Sequence, residues 1–99
     1  MIPDANFEFI DNKSVKQVTT KHETGIPLTI SFCGDCGSSL CKTADSDKFR
    51  NMTIVFTGAL DDSGETLGKA PQAEIWTKHR IDWVNKVGNG EMMQYEGFP

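Results

Sequence analysis

The sequence predicts an all-β fold built from small antiparallel sheets. Several short stretches alternate apolar and polar residues, and clusters of turn-forming residues separate them at short intervals. No stretch carries the apolar repeat of a long amphipathic helix. The chain has 99 residues, of which 37% are hydrophobic and 24% charged. This size and composition predict one globular domain over residues 1–99.

The first half of the chain predicts four strands, each bounded by turn residues. The first has Phe7 and Phe9 on one face, and the second is rich in β-branched side chains. The third alternates apolar and polar residues and is followed closely by the fourth, so these two form a hairpin. The four strands are expected at residues 6–10, 14–20, 27–32 and 39–43.

The second half predicts a central strand followed by shorter elements. Residues 51–60 (NMTIVFTGAL) form the most apolar run, which favours the centre of a sheet, and the turn-rich residues 61–71 end it. Residues 73–77 predict another strand, and residues 80–84 predict one helical turn or a bend. The apolar side chains of the tail, residues 88–99, are expected to pack back on the sheet.

Charge and hydropathy argue against several classes of partner. The net charge of −4 gives no electrostatic reason to bind nucleic acid or an anionic membrane. No apolar run approaches the ~20 residues of a membrane span, and the N-terminus lacks the pattern of a signal peptide. A cytoplasmic location is therefore expected, where thiols stay reduced. The odd count of three cysteines also disfavours a disulfide framework.

The hairpin turn carries the sequence FCGDCGSSL, which is the main candidate site. Cys33 and Cys36 are three positions apart, and each is followed by a glycine, Gly34 and Gly37. This is the spacing of a zinc knuckle, in which a tight turn directs both sulfurs to one point. The alternative is a pair of reduced thiols that only close the hairpin. Thioredoxin-like redox chemistry is disfavoured because it needs a helix after the motif, and strands flank this one.

A closed zinc site takes four ligands, and the knuckle supplies two. Two copies of the chain would complete a four-thiolate site across a dimer interface. His22, His79 or Cys41 are the other candidate ligands, although their spacing favours none of them. Cys41 lies on a predicted strand and is better explained as a small core residue.

Together with the knuckle, the sequences TGALDD, PQAEIWTKHRIDW and QYEGFP resemble the glutathione-dependent formaldehyde-activating (GFA) family, also called the CENP-V/GFA domain family, in its fungal branch. The resemblance covers nearly the whole chain. It implies an Mss4-like fold with a structural zinc held between an early CxC pair and the later CxxC. It also implies a catalytic zinc on a CxCxxC cluster and carbon–sulfur lyase activity on glutathione adducts or a related small electrophile.

Carried over residue by residue, the family's metal ligands match only Cys33 and Cys36. The early CxC and CxCxxC clusters have no counterpart, so the resemblance predicts a domain shortened at its N-terminus and assigns no catalytic residue. A non-catalytic remnant or binding module that kept the fold is therefore the alternative to a lyase. Loss of the first strands would leave unpaired sheet edges, which predict a homodimer or a strand-exchanged assembly.

Two further groups of residues invite functional interpretations. Residues 78–80 form a basic cluster beside Trp76 and Trp83 that could hold an anion such as a glutathione carboxylate. A solvated turn with both tryptophan rings in the core is the favoured alternative. Asp61 and Asp62 are expected to form a turn, because adjacent residues in an extended chain point apart and cannot share a proton.

Overall fold

The computed structural model describes residues 1–61, 63–88 and 90–98. Contacts between residues divide the chain into two compact units, Met1–Ser63 and Gly64–Pro99. The single domain predicted from the length stays a prediction. Among the described residues no helix has the length and apolar character needed to cross a membrane. The all-β fold class is confirmed, since the one α-helix described, α1 (Ser63–Leu67), has five residues.

The first unit contains an antiparallel sheet of five strands. Along the sheet the order is β1-β5-β4-β3-β2. Because every pair is antiparallel, short connections join β2 to β3 and β3 to β4, as the sequence predicts. The strands are β1 (Ile2–Pro3), β2 (Val15–Lys21), β3 (Pro27–Cys33), β4 (Ser39–Ala44) and β5 (Met52–Val55).

The predicted hairpin of β3 and β4 is confirmed, and it contains a bulge near its turn. Ser31 pairs with Cys41, whereas Phe32 pairs with Ser39, so Leu40 is one extra residue on β4. Such a bulge sharpens the local twist of a hairpin. It lies next to the knuckle, where the chain must turn within a few residues.

The predicted strand over residues 6–10 is wrong. A 3-10 turn, Asp4–Asn6, is followed by irregular chain, and the edge strand is instead β1. Phe7 and Phe9 pack against each other edge to face, with ring centroids 5.1 Å apart. Their alternation therefore reflects the packing of the two rings on one side of the chain. The backbone of this segment does not pair with any strand that the structure describes.

The predicted central strand over residues 51–60 is too long and is misplaced. Within this stretch the strand spans Met52–Val55, and it lies second from the sheet edge, with β4 at the centre. Asn51 has a left-handed backbone (φ 62°) that prevents an earlier start. After Val55 the chain turns into a 3-10 segment, Thr57–Ala59, so the later apolar residues of the run are not in the sheet.

The strand register gives the two faces of the sheet different characters. Leu28 pairs with Ala44 on one face, and both are buried among the apolar side chains of the core. On the other face Ser31 pairs with Cys41, and Thr53 lies on the same side. These three residues are also buried, so the second face is unusually polar for a covered sheet surface.

The second unit contains a small parallel sheet. Strand β6 (Ala73–Glu74) pairs with β7 (Met93–Gln94) in parallel, which corrects the expectation of antiparallel sheets throughout. The strand predicted over residues 73–77 ends at Glu74 because Trp76 has a left-handed backbone (φ 61°) and begins a 3-10 turn, Thr77–His79. The turn predicted at residues 80–84 is present, closed by a hydrogen bond from Val84 N–H to the Ile81 carbonyl at 3.0 Å.

Candidate metal centre

Backbone hydrogen bonds hold the knuckle in a tight turn between β3 and β4. Cys33 N–H donates to the Ser38 carbonyl at 2.9 Å, and Gly37 N–H donates to the Cys33 carbonyl at 2.7 Å. Gly37 has φ 80°, a left-handed conformation that a residue with a Cβ resists. The glycine after the second cysteine is therefore needed by the backbone of the turn.

The glycine after the first cysteine is needed for a different reason. Gly34 N–H donates to the Ser14 carbonyl at 2.6 Å, which draws the turn against the start of β2. A Cβ at this position would lie 3.0 Å from the Ser14 carbonyl oxygen and 2.9 Å from Cε of Lys16. Only glycine allows so close an approach without displacing the backbone of Ser14.

The two knuckle sulfurs differ in exposure but interact with each other. Cys36 is exposed and Cys33 is half-buried, and both are free thiols. The sulfur of Cys36 lies 3.2 Å from the Ser38 hydroxyl. The pKa of Cys36 is lowered, first by hydrogen bonds from the side chain and backbone of Ser38 and then by one from Cys33. Desolvation of the thiol and the negative charge of Asp35 oppose this shift but do not outweigh it. The turn therefore favours a thiolate at the position where a metal would need one.

The donor set fits two corners of a tetrahedral zinc site and does not complete it. All cysteines and histidines of the chain fall within the described residues, and no group of three or more potential metal ligands is formed among these residues. His22 lies in the turn at the far end of β3, and the length of that strand, about 20 Å, separates it from the knuckle. Its side chain is hydrogen-bonded to the Thr24 hydroxyl. Cys41 is 3% exposed within the sheet and does not join the knuckle cysteines in such a group. His79 stacks on Trp76 at 5.9 Å.

The basic cluster at residues 78–80 is occupied by contacts within its own unit. Arg80 binds the Glu74 carboxylate at two points, Nε to Oε1 at 3.1 Å and a terminal nitrogen to Oε2 at 2.6 Å. The same terminal nitrogen donates to Gln94 at 2.8 Å. The hydrogen bonds from Arg80 lower the pKa of Glu74. Arg80 therefore acts as a structural cross-link between β6, β7 and the turn.

The tryptophans beside this cluster only partly follow the prediction. Trp76 is half-buried, and Nζ of Lys78 lies 5.1 Å from the centroid of its ring. Trp83 is 81% exposed, so the prediction that both rings lie in the core is wrong for Trp83. Its turn, residues 82–84, leaves the ring outside the packed part of the unit.

The turn predicted at Asp61 and Asp62 can be compared with the structure at Asp61. Asp61 is exposed in a turn, as predicted, and Asp62 lies outside the described residues.

Ser38 is a residue of the site that the sequence interpretation missed. Ser38 lies two residues after Cys36, where its hydroxyl can form a hydrogen bond with the sulfur. This spacing is the signal that could have indicated it.

Comparison with models of known protein families gives a match. The family model described as glutathione-dependent formaldehyde-activating enzyme matches residues 1–79, which include the whole five-stranded sheet and the knuckle. No curated protein and no solved structure matches the chain.

Proposed function

Because the chain belongs to the glutathione-dependent formaldehyde-activating (GFA) family, we propose that its knuckle is half of a structural zinc site and not a catalytic centre. The family is generally zinc-binding and related to glutathione. The single observation that supports the proposal is the donor set of the knuckle, two free thiols on one turn that backbone hydrogen bonds close. A structural zinc takes four such ligands, and a catalytic zinc takes three with one open position.

A second copy of the chain is the proposed source of the two missing thiolates. Cys36 is exposed at the tip of the hairpin, where another knuckle can approach it. Two identical turns related by a two-fold axis bring together four sulfurs, and such symmetric contacts are the commonest in homodimers. Zinc, when bound, supplies a four-coordinate link between the two hairpins. Its binding energy then stabilises the dimer as well as the turn.

Carbon–sulfur lyase activity on a glutathione adduct is the second candidate, and the name of the matching family favours it. A catalytic zinc needs a third protein ligand and a free coordination position. The described residues supply no third ligand next to Cys33 and Cys36. We therefore expect the zinc-loaded protein to leave the rate of adduct formation from glutathione and formaldehyde unchanged. An accelerated rate that is lost with Cys33→Ser would favour the lyase.

The assembly is tested by light scattering of the protein with zinc and after removal of zinc by a chelator. The proposal predicts a dimer with zinc and a monomer without it. Cys33→Ser should be a monomer in both conditions, whereas Cys41→Ser, which removes the thiol outside the knuckle, should still form a dimer with zinc. A zinc-independent dimer, or a monomer throughout, would contradict the shared site.

A further inference from the structure

A cleft of about 220 Å³ lies on the polar face of the five-stranded sheet. Its floor includes Ser31, Cys41 and Thr53, and its wall includes Phe7 and Phe9. This space is large enough for a small organic molecule, because a single water needs only about 10–15 Å³. None of these residues belongs to the knuckle, so the cleft is a separate feature of the first unit.

The floor of the cleft is polar and deeply buried. Ser31 and Thr53 are each 4% exposed, and Cys41 is 3% exposed. Ser31 accepts a hydrogen bond from Gln17 at 3.1 Å, while the Cys41 thiol has no hydrogen-bond partner among the residues that the structure describes. Both hydroxyls of the floor are hydrogen-bonded, Ser31 with Gln17 and Thr53 with Asp4. The fold therefore places polar atoms beneath the open space without leaving a buried hydroxyl unpaired.

The charge of the cleft is entirely negative. Asp4 and Glu8 both line it, and no lysine, arginine or histidine is among its lining residues. The Thr53 hydroxyl donates to one oxygen of Asp4 at 2.7 Å, which holds that carboxylate in place and leaves its other oxygen available. Asp4 and Glu8 are both exposed, and each attracts an opposite charge that lies close to it. The cleft is thus suited to a cation.

The wall adds an aromatic surface to this charge. Phe7 and Phe9 pack edge to face, so their rings offer differently oriented surfaces to the cleft. The face of an aromatic ring attracts an ammonium group, most strongly where water is excluded. We propose that this cleft binds a small organic cation, with its ammonium group beside Asp4 and Glu8 and against the rings of Phe7 and Phe9. This assignment does not depend on zinc binding by the knuckle.

The proposal is tested with choline and its uncharged isostere 3,3-dimethyl-1-butanol, each titrated into ¹⁵N-labelled full-length protein and followed by NMR. The expected result is that choline binds at least about tenfold more tightly than the isostere and shifts the amide signals of Phe7, Phe9 and Cys41. Equal affinity for the two compounds, or shifts confined to other residues, would overturn the proposal.

Variants distinguish binding of choline at the cleft from its attraction to the overall negative charge of the chain. Asp4→Asn with Glu8→Gln should weaken choline binding about tenfold or more. Glu8→Gln alone should weaken binding as well, and Glu65→Gln is its matched control, because it also removes one negative charge, from an exposed position outside the cleft. Glu65→Gln should leave binding unchanged. If the double variant fails to fold, Glu8→Gln alone decides, since Glu8 is exposed and forms no hydrogen bond or ion pair with the residues that the structure describes. Equal weakening by Glu65→Gln would overturn the proposal.

Discussion

The backbone amide of Gly37 donates to the carbonyl of Cys33 at 2.7 Å, and this bond closes the turn that carries both knuckle cysteines. Gly37 makes the bond in a left-handed conformation with φ 80°. The position of the two sulfurs therefore depends on a backbone geometry that one glycine allows.

Gly37→Ala should lower the free energy of unfolding by about 1–2 kcal/mol, because an L-residue is strained in the left-handed region. Nothing lies within 4 Å of the added Cβ, so the loss comes from the backbone alone. Gly58→Ala is the matched control, with equally open space and no positive φ. It should change stability by less than about 0.5 kcal/mol. Urea unfolding of both variants measures the difference, and equal midpoints would refute the argument.

Gly34→Ala should lower the free energy of unfolding by about 1–3 kcal/mol, since its Cβ meets both the Lys16 side chain and the Ser14 carbonyl. The lysine can move away, but the carbonyl belongs to the backbone. Most of the loss should therefore persist when Lys16→Ala is added, as a double-mutant cycle would show. Full recovery in the double variant would mean that the turn tolerates a Cβ against Ser14.

The free energy of unfolding should fall in acid, partly because Glu74 becomes protonated. Its pKa is lowered in the folded protein by Arg80. A lowered pKa stabilises the fold above the usual glutamate value of about 4.3, and this contribution is lost as the pH falls through the folded-state value. Glu74→Gln should remove that part of the dependence, so its loss of stability is largest at neutral pH and shrinks in acid.

The control for Glu74→Gln is Glu65→Gln. Glu65 lies 3.9 Å from Lys69, and both side chains are about three-quarters exposed, so the pair contributes little. Unfolding of the two variants is compared between pH 7 and pH 3. The same pH profile for Glu74→Gln as for the unmodified chain would show that the ion pair is not the source of the dependence.

The three cysteines should react with iodoacetamide in the order of their exposure. Cys36 is exposed, Cys33 is half-buried and Cys41 is buried. In metal-free protein we therefore expect Cys36 to be alkylated first and Cys41 last, with Cys41 labelled fully only after unfolding. Peptide mass spectrometry at successive times measures the order. Rapid labelling of Cys41 in the folded protein would show that the sheet around it opens.

Much of the sheet could be predicted because its signals are local. Alternation predicted β3, β-branched residues predicted β2, and the CxxC turn with the strand after it predicted the β3–β4 hairpin. That Cys33 and Cys36 bind a metal stays a prediction. The all-β class followed from the same short periods. These features depend on neighbouring residues, so one sequence was sufficient to indicate them.

The errors concern features that only the folded chain determines. Phe7 and Phe9 alternate as strand residues do, but no partner strand pairs with them. Trp76 adopts a left-handed backbone that its residue type rarely favours, so a predicted strand ends early. The parallel pairing of β6 with β7, about 20 residues apart, depends on tertiary contacts that no local pattern records.

Native mass spectrometry counts the zinc ions bound per dimer, and a zinc site shared by two knuckles fixes that number. We expect one zinc per dimer, lost with Cys33→Ser and retained with Cys41→Ser. Two zinc ions per protomer, or a dimer without zinc, would contradict it.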